Sequence, residues 1–94
     1  MPSHRQGRVA QEIKREATDI LRNEVRDPRV DGVTITDAEV TADLQHAKIF
    51  YSTLSDDDQV KTETQEGLDK ASGLVRSEIG NRIKSVSYTH LRAH

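Results

Sequence analysis

The stretch Val33-Thr34-Ile35-Thr36-Asp37-Ala38-Glu39-Val40-Thr41, followed by Ala47-Lys48-Ile49-Phe50-Tyr51-Ser52-Thr53-Leu54, decides the fold. Both runs are rich in β-branched residues and alternate with the period of two expected of a half-buried strand. In the first run Val33 and Ile35 share one phase, while Ala38 and Val40 fall in the opposite phase. That slip predicts a β-bulge near Thr36-Asp37. In the second run Ala47, Ile49 and Tyr51 lie on one side. The connection between the runs, Ala42 to His46, is too short for a crossover, so the two strands form an antiparallel hairpin.

Upstream of the hairpin the period changes. Between Arg8 and Arg26, Val9, Ala10, Ile13, Ala17, Ile20 and Leu21 fall within an arc of about 120° at helical spacing, which predicts an amphipathic helix. The opposite side carries Arg8, Arg15, Arg22 and Arg26, interleaved with Glu12 and Asp19 at distances that permit ion pairs. This stripe is either a solvated, salt-bridged face or a surface turned to phosphate. Pro28 ends the helix, and Asp31-Gly32 supplies a turn.

Downstream, Ser55-Asp56-Asp57-Asp58 has the spacing of a capping box, so a helix is predicted to begin there. The aspartates are read as caps, since one short acidic run does not furnish the spread of oxygens that a divalent cation needs. The segment to Glu66 is weakly apolar and Gly67 weakens it further. From Leu68 a second core helix is predicted, with Leu68, Ala71, Val75, Ile79 and Ile83 on one arc. Gly73 interrupts it at a cost of about 1 kcal/mol relative to alanine. That glycine marks a kink, a close approach to the backbone, or a tolerated surface position. On the helical wheel Lys70, Arg76, Arg82 and Lys84 do not share a face.

Composition limits what such a chain can do. Its 94 residues allow one domain, and Leu, Ile, Val and Phe make a small core. With 14 basic and 16 acidic residues the formal charge is −2, so any attraction to nucleic acid must be local. The charge is indeed uneven, with basic ends flanking an acidic middle, residues 36–66. The absence of cysteine removes disulfides and thiolate chemistry. No apolar run is long enough to span a bilayer, and the start, Met1 to Arg8, lacks the apolar stretch of a signal peptide, so a soluble cytoplasmic protein is expected. His4, His46, His90 and His94 have no metal-ligand spacing, and no phosphate loop, dinucleotide fingerprint or nucleophile elbow occurs. Neither metal, cofactor nor catalysis is expected. The aromatic residues, Phe50, Tyr51 and Tyr88, are too few for an aromatic cage or a base-stacking sheet of several rings, so recognition by stacking is not expected.

Several segments together resemble one family. Arg8-Val9-Ala10-Gln11-Glu12-Ile13, Ile20-Leu21-Arg22-Asn23-Glu24-Val25-Arg26-Asp27-Pro28-Arg29-Val30, Val33-Thr34-Ile35-Thr36, Asp43-Leu44 with Ala47-Lys48-Ile49, and Ala71-Ser72-Gly73-Leu74-Val75-Arg76 are similar, in order and spacing, to bacterial ribosome-binding factor A. The resemblance covers about residues 5–84. It implies an α+β fold of the type II KH-like kind, in which a three-stranded sheet is backed by helices in the order helix, strand, strand, helix, kinked helix. It also implies a kink at Ala71, Ser72 and Gly73 in place of the GxxG loop. The implied role is non-enzymatic: binding the small ribosomal subunit and its rRNA during maturation and 5′-end processing, with a link to cold adaptation. No membrane or small-molecule substrate is implied, and a monomer is expected. By matching position and charge, Arg8, Arg15, Lys70, Arg76, Arg82 and Lys84 are the expected phosphate contacts. They would position the domain without reading bases.

Residues 85–94 depart from the family pattern, which continues with a Val-Pro-Glu-Leu-like segment and a third strand. This tail looks like translated adapter sequence, so the family domain is expected to be incomplete at residue 84. Val86, Tyr88 and His90 nevertheless alternate with Ser87 and Thr89, and a short substitute strand is predicted between about Val86 and Leu91. The competing readings are a protein-interaction module that uses the hairpin edge or acidic middle, and a generic KH-like RNA binder.

Overall fold

The computed structural model describes residues 4–93; Met1, Pro2, Ser3 and His94 lie outside them, and with them the readings that rest on the first three residues and on His94. The chain runs through helix α1 (His4–Asn23), a 3₁₀ turn (Pro28–Val30), strands β1 (Val33–Val40) and β2 (His46–Thr53), helix α2 (Asp58–Arg82) and strand β3 (Tyr88–Ala93). The sheet order is β1-β2-β3, with β1 antiparallel and β3 parallel to the central β2. The register shifts between Ile35 and Asp37, where the change of phase predicts it. Ile35 and Ala38 can therefore both face the helices.

Both helices cover the same face of the sheet. Ile13, Ala17 and Ile20 of α1, Ala47 and Ile49 of β2, and Val75 and Ile79 of α2 belong to one core. α1 stops at Asn23, short of the Arg26 suggested by periodicity. The N–H groups of Glu24 and Val25 both donate to the Ile20 carbonyl, at 2.8 and 3.1 Å, closing the last turn. Asp27 then caps the 3₁₀ turn by accepting the Arg29 N–H at 3.0 Å.

The two helices expected after the hairpin are one. α2 runs for 25 residues without a break at Gly67 or at Ala71-Ser72-Gly73. Within the latter triplet the Ser72 hydroxyl donates to the Asp69 carbonyl at 2.7 Å. Gly67 is a site of close approach: a Cβ there would stand 3.1 Å from both Arg29 Cβ and Val30 Cγ1 in the 3₁₀ turn. The start of α2 also differs from the capping-box reading. Asp57 is the cap, its carboxylate accepting the Gln59 N–H at 2.8 Å, while Ser55 Oγ accepts the Asp57 N–H one step earlier. Asp58, read as the far end of the box, lies in the first turn, where its charge favours the helix dipole.

The tail supplies the third strand, two residues later than predicted. Val86 is not part of it; its side chain is buried in the core. The N–H groups of Ser87 and Tyr88 donate to the Gln45 carbonyl at 2.8 and 2.9 Å, and pairing then runs from His46–Tyr88 to Tyr51–Ala93. One polar group fits poorly, because the buried Thr89 hydroxyl has no hydrogen-bond partner among the described residues.

Candidate nucleic-acid interface

The outward side of α1 exposes Arg8, Arg15 and Arg22, as expected of an amphipathic helix whose apolar arc is buried. The acids placed to neutralise them are partly engaged elsewhere. Asp19 accepts from Arg82 of α2 at 2.7 Å and from Asn23 at 2.6 Å, while Glu16 accepts from Arg82 at 2.8 Å. These bonds hold the Asp19 carboxyl below the ordinary aspartate range, the Arg82 bond being the larger cause. Neither Arg8 nor Arg15 closes an ion pair within 4.0 Å among the described residues.

Arg82 is a different case from its fellow candidates. Besides Glu16 and Asp19, its guanidinium lies 3.9 Å from Glu24 and 3.5 Å from Glu78. Asp19 and Glu16 raise its pKa further above an already high value. Carboxylates on and just beyond α1, and one on α2, thus compete for one cation. The expected phosphate contact is an interhelical tie, and its charge is balanced within the molecule.

The other basic candidates remain outward-facing. Lys70 and Arg76 are exposed on α2, and Lys84 is exposed just beyond its end. None of the three closes an ion pair among the described residues. Lys70, Gly73 and Arg76 are spaced by three, and successive members are rotated by about 60°. Gly73 is therefore flanked by a cation on each side. A Cβ at Gly73 would meet nothing within 4 Å, so no intramolecular packing requires glycine there.

The open face of the sheet carries a second group that composition alone did not suggest. Since Ala47, Ile49 and Tyr51 point to the helices, His46, Lys48 and Phe50 point away. The parallel register sets Tyr88, His90 and Arg92 beside them. His46 and Tyr88 stack, with ring centroids 4.7 Å apart and an interplanar angle of 15°. The signal was hidden because it depends on the β2–β3 register. Among the described residues no three His, Asp or Glu side chains are grouped so as to hold a metal ion. No helix among the described residues is long and apolar enough to cross a membrane.

Comparison with known proteins gives the family and the fold. The family model described as ribosome-binding factor A matches residues 5–92. A ribosome-binding factor A from Latilactobacillus sakei is 60% identical over 81 residues, covering 86% of this chain and 69% of the relative. The solution structure of a Thermotoga maritima protein assigned to the same factor superposes with a TM-score of 0.78 at 27% identity, covering 100% of this chain and 89% of that one. Coordinates of the Thermus thermophilus factor, a homology model fitted into a cryo-EM map of a complex with the 30S subunit, give a TM-score of 0.63 at 13% identity, with coverage of 89% and 87%. The α+β, KH-like architecture is thus shared with these structures. With a match that spans both helices and all three strands, the chain belongs to the ribosome-binding factor A family.

Proposed function

We propose that this chain binds the small ribosomal subunit through rRNA phosphates and assists late maturation and 5′-end processing of 16S rRNA. The observation that carries this reading is the outward-facing, unobstructed Gly73 between the exposed cations Lys70 and Arg76. A glycine inside a long helix costs about 1 kcal/mol relative to alanine. No packing against Gly73 within this molecule offsets that cost, whereas close approach of an RNA backbone would. Arg8 and Arg15 on α1 and Lys84 beyond α2 extend the cationic set, and residues 5–84 contain all of its members.

Such contacts fix position and orientation and carry no base information. The role is that of a monomeric cytoplasmic binding factor whose effect on rRNA is steric or conformational, with no chemical step and no small-molecule substrate. The complex described for the Thermus thermophilus relative supports the choice of subunit. Arg82 is left out of the surface because its carboxylate partners hold it.

Co-sedimentation with purified small and large subunits at low and moderate salt tests the proposal. Retention on small subunits alone is expected, falling as salt rises because phosphate contacts release counterions. The double substitution Arg8→Ser/Arg15→Ser should weaken retention and flatten its salt dependence, by about one unit of slope for each phosphate no longer neutralised. Equal retention on both subunits, or retention indifferent to salt, would overturn it.

A further inference from the structure

We propose that the open face of the sheet binds single-stranded RNA, with bases stacking on the His46–Tyr88 pair and phosphates meeting Lys48 and Arg92. This face lies on the opposite side of the sheet from α1 and α2, so it is separate from the surface proposed above.

Three observations converge on that occupant. The first is the His46–Tyr88 stack itself, which joins neighbouring strands at 4.7 Å and leaves Tyr88 about half exposed. A base has a π-face whatever its identity, so an exposed ring of this kind is a sequence-tolerant platform for an unpaired nucleotide. The second is spacing: successive outward residues on a strand are about 6.7 Å apart, comparable to the reach of one extended nucleotide. The register pairs His46–Tyr88, Lys48–His90 and Phe50–Arg92 therefore form three successive steps along one track.

The third is the distribution of charge. Lys48 and Arg92 mark the β2–β3 side of the face, and neither closes an ion pair among the described residues. Glu39, the register partner of Lys48, and Asp37, that of Phe50, mark the β1 side. A polyanion is thus attracted along β2 and β3 and repelled from β1, which sets its path parallel to the track. Double-stranded RNA presents no free base to the rings, and an acidic peptide would use the cations without the stack. Tyr88, His90 and Arg92 all lie on β3, so the track depends on the parallel register of that strand against β2.

The chain contains no tryptophan, so Tyr88→Trp places a unique fluorophore in the stack. Short oligoadenylate and oligouridylate strands should quench the introduced indole, while a duplex RNA of equal length and polyglutamate should not. In anisotropy titrations of the full chain, Tyr88→Ser should weaken single-stranded RNA binding by about tenfold. Lys48→Ser, on the central strand, should reduce the salt dependence of that binding. Arg8→Ser/Arg15→Ser should leave the indole quench intact, which separates this face from the helical one. Circular dichroism shows whether each variant retains its strands, and the tryptophan variant keeps a ring in place if the serine variant does not. An indole that stays unquenched at RNA concentrations saturating the anisotropy, or one that polyglutamate quenches equally, would overturn the proposal.

Discussion

Arg82 shows how a residue's meaning is set by its neighbours across the fold. Its guanidinium gathers Glu16, Asp19, Glu24 and Glu78, so removing it leaves these carboxylates without their shared cation. Arg82→Ala should therefore lower the thermal midpoint by more than Arg8→Ala or Arg15→Ala, and Arg82→Lys should recover only part of the loss because a single ammonium cannot fork between partners. Equal midpoints for the three alanine variants would refute the tie. Asp27 supplies a pH dependence of defined sign. Hydrogen bonds from the Arg29 side chain, and then from its N–H, lower the Asp27 pKa from 3.8 to about 2. The unfolded chain therefore binds the proton more readily, and this contribution to stability is full above 3.8 and lost as pH falls towards about 2. Urea midpoints measured across that window should show a shallower slope for Asp27→Asn than for the parent.

At the scale of elements, the two glycines of α2 are opposite in kind. Gly73→Ala fills open space and should stabilise the helix by about 0.5–1 kcal/mol. If RNA approaches there, the same substitution weakens retention on small subunits, so stability and binding move in opposite directions. Gly67→Ala gains the same helical preference but presses on Arg29 and Val30, and its midpoint should fall at or below that of the parent. Periodicity could not separate these cases, because both glycines weaken the pattern equally and only the 3₁₀ turn packed against Gly67 distinguishes them. The hairpin was more legible. Its bulge announced itself as a slip of phase within one strand, with no need of distant partners. Its turn holds Leu44 at φ 62 while burying the side chain. Leu44→Ala should cost about 2–3 kcal/mol of burial, and Leu44→Gly about 1 kcal/mol less than that because glycine tolerates the left-handed backbone. Denaturant unfolding of the pair checks the order.

For the whole molecule, the sequence revealed the class of fold and the cations of α1 and α2, but not which of them the acids of the other helix would hold. A helical wheel sets Arg82 within the apolar arc of α2 and Lys70 opposite it but names no partner; only the packing of α2 beside α1 brings Arg82 to Glu16 and Asp19. The aromatic row was hidden for the same reason, since Tyr88 meets His46 only through a parallel register between distant segments. The third strand also brings a flaw into the sheet. Thr89 buries its hydroxyl without a partner among the described residues, so the near-isosteric Thr89→Val should raise stability by about 1 kcal/mol.

That strand has a consequence in time as well. β1 and β2 pair across a short turn, whereas β3 must close the long loop containing α2 before it reaches β2. Loop closure of this length is entropically costly and gives late-forming contacts. Topology therefore predicts the hairpin with α1 as the folding nucleus, and β3 as the last element to dock and the first to leave. Chevron analysis should accordingly find Thr89→Val slowing unfolding with little change in the folding rate, whereas Ile49→Val, in the strand that both neighbours share, slows folding itself. A sheet finished last along its β3 margin spends the folding interval with β2 open to any other extended chain.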